Sequence, residues 1–236
     1  MEIKKAPAVY LLAGGIDSSA RKEEALLKKI FADIAIKNPS VAYIGCASGD
    51  DRSFFAWIAR KLKSCGAGEV RLARTTGKKF QKEETVKILE SSDILFFSGG
   101  DVEEGMQVLA ERRMKDLFKR LYFEGKIFIG VSAGSIMLCK NWVRWKDAED
   151  DDTAEVFACL GIAEILCDTH AEEDGWVELK TLLNCLNEKG VTGYGIPSGG
   201  ALKIETDRNP SVYGNPVIKI SKAGNEFKET WILQEF

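Results

Sequence analysis

Residues 130–135 read Gly-Val-Ser-Ala-Gly-Ser and fit a G-x-S-x-G pattern. They overlap the end of the apolar run Ile127–Val131 and precede Ile136-Met137-Leu138, which suits a helix. A sharp strand-to-helix turn, a nucleophile elbow, holds its central residue in a strained conformation and exposes the hydroxyl. Small flanking residues let the backbone pass close to its neighbours. Amides at the start of the following helix can hold a developing oxyanion. The predicted chemistry is attack by Ser132 on a carbonyl carbon, with the Ala133 amide as one oxyanion donor. The plainer alternative is a tight turn in which Ser132 only caps the helix.

A serine nucleophile needs a base, usually a histidine and less often a lysine. The chain has one histidine, His170, which closes the segment Cys167-Asp168-Thr169-His170 after an apolar stretch. Any histidine-dependent mechanism must use it, although a random surface histidine would look the same. Ser98-Gly99-Gly100-Asp101 follows the apolar run Ile94–Phe97. A glycine pair at the carboxyl end of a parallel strand lets backbone amides approach a ligand, and ligand crevices form at such ends. Gly100 is therefore the candidate second oxyanion donor, against the reading of an ordinary strand–helix turn.

Glu172, Glu173 and Asp174 follow the histidine. As an acidic rim and candidate substrate-binding group they would favour a cation, such as a free amino terminus or a basic side chain. They also fit solvated loop charges. The six cysteines show no C-x-x-C spacing, and with a single histidine no structural zinc site is expected. They read as reduced, mostly buried thiols, and neither Cys46 nor Cys139 competes as a nucleophile.

These residues need a scaffold. Short apolar runs at 8–12, 41–45, 70–72, 94–97 and 127–131 alternate with helix-like stretches at 18–36, 54–65, 81–91 and 102–124. Near-continuous apolar strands, each followed by a helix, predict a parallel sheet covered on both faces. The expected fold class is α/β, three-layered, with a mostly parallel central sheet and helices on both faces. Beyond residue 140 the pattern changes to an acidic loop or helix start at 147–155, an apolar run at 157–170, a helix at 177–188, and strands near 201–204 and 217–220. No repeat or linker interrupts it, so a single domain over 1–236 is expected.

The chain has 236 residues, 45% of them hydrophobic and 29% charged, with 33 Lys and Arg against 36 Asp and Glu. A net charge of −3 gives no reason to propose nucleic acid or an anionic membrane as partner. No apolar run approaches the ~20 residues of a membrane span. The amino terminus reads as mature sequence, and a cytoplasmic protein is expected.

The chain resembles the peptidase E and cyanophycinase group of serine peptidases. The residues that carry the resemblance are the Gly-Gly-Asp turn at 99–101, Gly-Val-Ser-Ala-Gly-Ser at 130–135 and Asp-Thr-His at 168–170. It runs from the first strand with Gly14-Gly15, through Tyr43-Ile44-Gly45-Cys46-Ala47-Ser48, to Ala201-Leu202. It implies a fold like class I glutamine amidotransferases, a Ser132 nucleophile, a His170 base, oxyanion donors at Gly100 and Ala133, and no cofactor or metal. The implied partner is a small peptide substrate, and a homodimer is compatible with it. Family members commonly carry an aromatic residue and arginines after the histidine, to bind an acidic substrate. This chain has carboxylates there instead, which argues against Asp-X substrates. Cyanophycinase-like sequences place an acid in a late segment where this chain has Ser198; peptidase E-like sequences use an aspartate some way after the nucleophile. Asp147 is thus the expected orienting acid, with Asp168 as the alternative. A catalytically weak or silent amidotransferase-like ligand-binding domain, and an α/β-hydrolase-type esterase, are the competing readings.

Overall fold

A computed structural model describes the chain except residues 1–6, 15–19, 148–149, 189, 206–209, 225 and 235–236. Gly15 of the first turn, the expected start of the first helix at 18–19, and residues 148–149 of the acidic loop lie outside the described residues.

The expected strands form: β1 (Val9–Leu12), β2 (Val41–Ile44), β3 (Val70–Leu72), β4 (Ile94–Phe97) and β5 (Ile127–Val131). All five are parallel, in the order β1-β5-β4-β2-β3. β10 (Gly200–Ile204) and β11 (Ser211–Gly214) extend the sheet beyond β1, each antiparallel to its neighbour. Side chains alternate between the two faces along each strand. Tyr10 and Leu12 pack with α1 (Ala20–Ile34) and α2 (Arg52–Ser64), through Leu27, Ile30, Ile58 and Leu62. Val9 and Leu11 face the other side, which α3 (Lys82–Ser91), α4 (Val102–Glu111), α5 (Lys115–Phe123) and α6 (Ala133–Leu138) cover. The mostly parallel sheet with helices on both faces is the architecture the sequence predicts.

On that second face, Phe97 of β4 meets Phe118 of α5 at a ring separation of 5.0 Å, and Phe128 of β5 at 6.1 Å. All three are fully buried. Each such side chain contributes about 1.5–3 kcal/mol on burial, enough to fix β4 and β5 side by side and hence the two turns that leave them.

A four-stranded sheet stands apart: β8 (Cys167–Thr169), β9 (Thr192–Ile196), β12 (Val217–Ala223) and β13 (Glu226–Ile232), in the order β13-β12-β9-β8. α7 (Val177–Leu186) buries Leu179, Leu182 and Leu183 in the same apolar cluster as Ile196 and Ile218 of this sheet. One expectation is corrected. The stretch 102–124 is two helices, because Arg113 turns left-handed at φ 54° and lets Met114 bury completely. The described residues of the acidic stretch 147–153 form a loop with a 3-10 turn at Asp151–Thr153, as expected, and the stretch lies at the end of a hairpin of β6 (Asn141–Trp145) and β7 (Ala154–Ala158), paired antiparallel with Trp142 opposite Phe157. Among the described residues no helix is long and apolar enough to cross a membrane.

Candidate active site

The parallel register sets the site. Ile44 pairs with Phe97, Phe97 with Gly130, and Gly130 with Leu11, so β1, β2, β4 and β5 end along one edge. The turns at 98–101 and at Ser132 leave that edge together. Ser132 has φ 53° and ψ −124°, a conformation worth on the order of 1–3 kcal/mol of strain in a non-glycine residue. It stands at the N-cap position of α6, yet its side chain caps nothing. The strain is held by its amide donating to the Leu12 carbonyl at 2.9 Å, and by the Ser135 amide donating to the Ser132 carbonyl at 2.8 Å. The buried Ser135 hydroxyl donates to the Leu12 carbonyl as well, at 2.8 Å. A side chain at position 134 would put its Cβ 2.2 Å from the Phe97 carbonyl oxygen, so only glycine lets α6 start against β4.

Gly100 has φ 143°, and a Cβ there would lie 1.9 Å from the Ala47 carbonyl oxygen. The turn is pressed onto a short 3-10 turn at Cys46–Ser48, where the Asp101 amide donates to Ala47 at 2.8 Å. The Asp101 carboxylate caps α4 by accepting from the Glu104 amide at 2.8 Å. Gly100 and Ala133 both line the cleft that holds Ser132. Among the described residues neither of their amides donates to another backbone group.

His170 arrives from the other sheet. Cys139, just past α6, lies 3.3 Å from Cys167, the first residue of β8, sulfur to sulfur. From there α6 leads back to Ser132, about 10 Å away at 1.5 Å per residue. β8 leads forward to His170, also about 10 Å away at 3.3 Å per residue. The two elements pack antiparallel, so the contact at their other end joins Ser132 to His170. The Ser132 Oγ to His170 Nε2 distance is 2.8 Å. His170 is itself left-handed at φ 45°, and its amide donates to the Ile196 carbonyl at 2.9 Å. No hydrogen bond to its Nδ1 is formed among the described residues.

The carboxylates divide by location. Asp168 is buried, with Oδ1 accepting from the Thr169 amide at 2.7 Å and Oδ2 unpartnered. Burial pushes its carboxyl up to about 7, with Glu178 and Asp174 adding to the rise. Glu178, from the first turn of α7, lines the same cleft, and its carboxyl is raised by burial and by Asp174 while His170 pulls it down. Glu172 accepts from the Ser198 amide at 3.1 Å. Burial raises its carboxyl, but hydrogen bonds from its own amide and from Ser198, with His170 nearby, outweigh that and hold it low. Glu173 and Asp174 are exposed and, like Glu172, are not among the described residues lining the cleft. Asp147 lies beyond the last ladder pair of the β6–β7 hairpin, exposed, where Thr153 Oγ1 donates to its carbonyl at 3.0 Å. The structure does not bring it to the cleft lining.

Several polar and aromatic residues of the cleft carry no local signal in the sequence. Glu178 is one. Arg144 and Trp145 come from β6, whose strand character was hidden by the acidic stretch beside it. Arg144 bridges to Glu103 of α4 at 2.8 Å and reaches Glu155 at 3.6 Å. Trp145 lines the cleft with a buried, unpartnered Nε1. The Asn-Trp-Val-Arg-Trp run at 141–145 was the available signal for a strand.

The chain matches the model of peptidase family S51 over residues 10–211. Among solved structures it resembles a peptidase from an acI-B1 Actinobacterium, with a TM-score of 0.70 and 16% identity, covering 97% of this chain and 95% of that one. It also resembles a protein described as peptidase E from Listeria monocytogenes EGD-e, with a TM-score of 0.65 and 16% identity, covering 89% of this chain and 98% of that one. No curated protein matches it in sequence.

Proposed function

Because the chain belongs to peptidase family S51, it is a serine-type peptidase, and we propose that Ser132 is its nucleophile and His170 its general base. The observation that carries this reading is the 2.8 Å approach of Ser132 Oγ to His170 Nε2. For Nε2 to accept the serine proton, the neutral imidazole must carry its own proton on Nδ1. Ser132 Oγ attacks the scissile carbonyl as Nε2 takes its proton. The oxyanion forms beside the amides of Gly100 and Ala133, two cleft-lining residues whose amides have no backbone partner among the described residues. The imidazolium then gives its proton to the leaving amine, and water, activated by the same nitrogen, releases the acyl group.

The developing imidazolium needs a negative neighbour. Glu178 fills that role in our reading, since it lines the cleft and its charge responds to His170. Glu172 is committed to the Ser198 amide, and Asp147 lies off the cleft lining.

The substrate is a small peptide of neutral or basic character. The cleft encloses about 400 Å³. Asp101, Glu103, Asp168 and Glu178 line it among the described residues, while Arg144 is held by Glu103. Hydrolysis of a dipeptide and tripeptide library by wild type and by Ser132→Ala tests the reading. Turnover by wild type and none by Ser132→Ala is expected; equal turnover by both would overturn it.

A further inference from the structure

A second cavity opens on the same edge of the main sheet, beyond β3, its outermost strand. It encloses about 380 Å³ between the starts of α2 and α3. Arg52 is the first residue of α2, and Arg74 and Lys79 belong to the loop joining β3 to α3. All three line the cavity, and among the described residues none of them forms an ion pair. Phe55, Leu72 and Ile88 supply an apolar wall, and Glu84 is the one carboxylate among the described residues of the lining.

The loop that carries Arg74 is held in place. The buried Asp50 accepts from the amides of Thr75 at 2.6 Å and Thr76 at 2.7 Å. The Arg74 carbonyl accepts from Thr85 Oγ1 at 2.6 Å, and the Thr75 carbonyl from Arg112 Nε at 3.2 Å. A fixed loop loses little entropy when a ligand binds, which favours affinity. α3 begins at the cavity with no side chain capping its first amides.

We propose that this cavity is a binding site, separate from the peptidase cleft, for a small dianion carried on an apolar or aromatic body. Two guanidinium forks and an ammonium match the oxygens of a phosphomonoester or a dicarboxylate, and the apolar wall takes the body. With Glu84 counted, the described residues of the lining carry an excess of two positive charges. The site sits at the carboxyl ends of parallel strands, where open α/β sheets hold ligands. It does not depend on which residues cut a peptide bond.

Calorimetric titration of the full chain with phenyl phosphate and, separately, isophthalate tests this. Saturable one-to-one binding of at least one is expected, and the stronger of the two identifies phosphate or carboxylate as the preferred anion. Affinity should fall tenfold or more in Arg74→Gln and in the exposed Lys79→Gln, and should be unchanged in Arg144→Gln, which alters only the peptidase cleft. Benzyl alcohol, which lacks the charge, should not bind. Absence of saturable binding by both anions, undiminished binding in Arg74→Gln and Lys79→Gln, or loss of binding in Arg144→Gln would overturn the proposal.

Discussion

Ser132 Oγ and His170 Nε2 meet at 2.8 Å across the junction of two sheets, 38 residues apart in the chain. Ser132 leaves the carboxyl end of β5 in the large sheet, and His170 leaves the carboxyl end of β8 in the small one. The pair is joined only because α6 and β8 pack antiparallel, with Cys139 against Cys167 at the far end of the contact. A change that spreads α6 from β8 should therefore act on the Ser132–His170 distance without touching either residue.

Two groups that act in one step show strongly non-additive losses. Ser132→Ala and His170→Ala should each reduce peptide hydrolysis by roughly 10³-fold or more, and the double variant should lose little beyond either. Steady-state kcat/KM of the three variants checks this. Losses that multiply would mean that the two side chains do not share a step.

The acid can be assigned by substitution. Glu178→Gln keeps the shape and removes the charge beside His170, and should lower kcat on the order of tenfold, about 1.4 kcal/mol. Asp147→Asn should stay close to wild type. A fully active Glu178→Gln together with an impaired Asp147→Asn would return the orienting role to the hairpin.

Much of this layout was readable from the chain. Four of the five parallel strands announce themselves as short apolar runs, because both faces of the sheet are covered there; the edge strand β3, Val-Arg-Leu, is the exception. Ser132 and Gly100 were legible because turns at strand ends need small residues, and His170 because the chain has no other histidine. What stayed hidden is tertiary. Nothing local marks the break at Arg113, which neither glycine nor proline signals and which exists to bury Met114. Glu178 reads as an ordinary helix-start acid until α7 docks beside His170. Arg144 reaches the cleft from β6 and not from the segment after the histidine, so nothing near His170 in the chain marks it.

Asp168 gives a pH signature. Its carboxyl is raised from 3.8 to about 7 by burial, so the folded state holds a proton that the unfolded state has already lost. Its contribution favours folding below the unfolded pKa and is lost as pH rises from about 4 through 7. Asp168→Asn keeps an oxygen for the Thr169 amide and cannot ionise. It should raise stability by the order of 2–4 kcal/mol at pH 8 and by far less at pH 4. Thermal melts of both proteins at the two pH values check this; an equal shift at both would contradict it.

Specificity follows from the charges lining the cleft. Asp-X dipeptides should be turned over at least tenfold more slowly than Ala-X or Lys-X, since a like charge in a partly dry cleft is strongly disfavoured. Parallel kcat/KM measurements on the three peptides are the test, and Asp-X as the fastest would refute the claim.

The central claim is that Ser132 is activated by His170. A fluorophosphonate probe labels only a serine whose hydroxyl is being deprotonated by a neighbouring base. Labelling of wild type at pH 7.5, followed by digestion and mass spectrometry, is the direct measurement. A single adduct on Ser132, abolished in His170→Ala, is the predicted result. No adduct on Ser132, or equal labelling with and without His170, would contradict it.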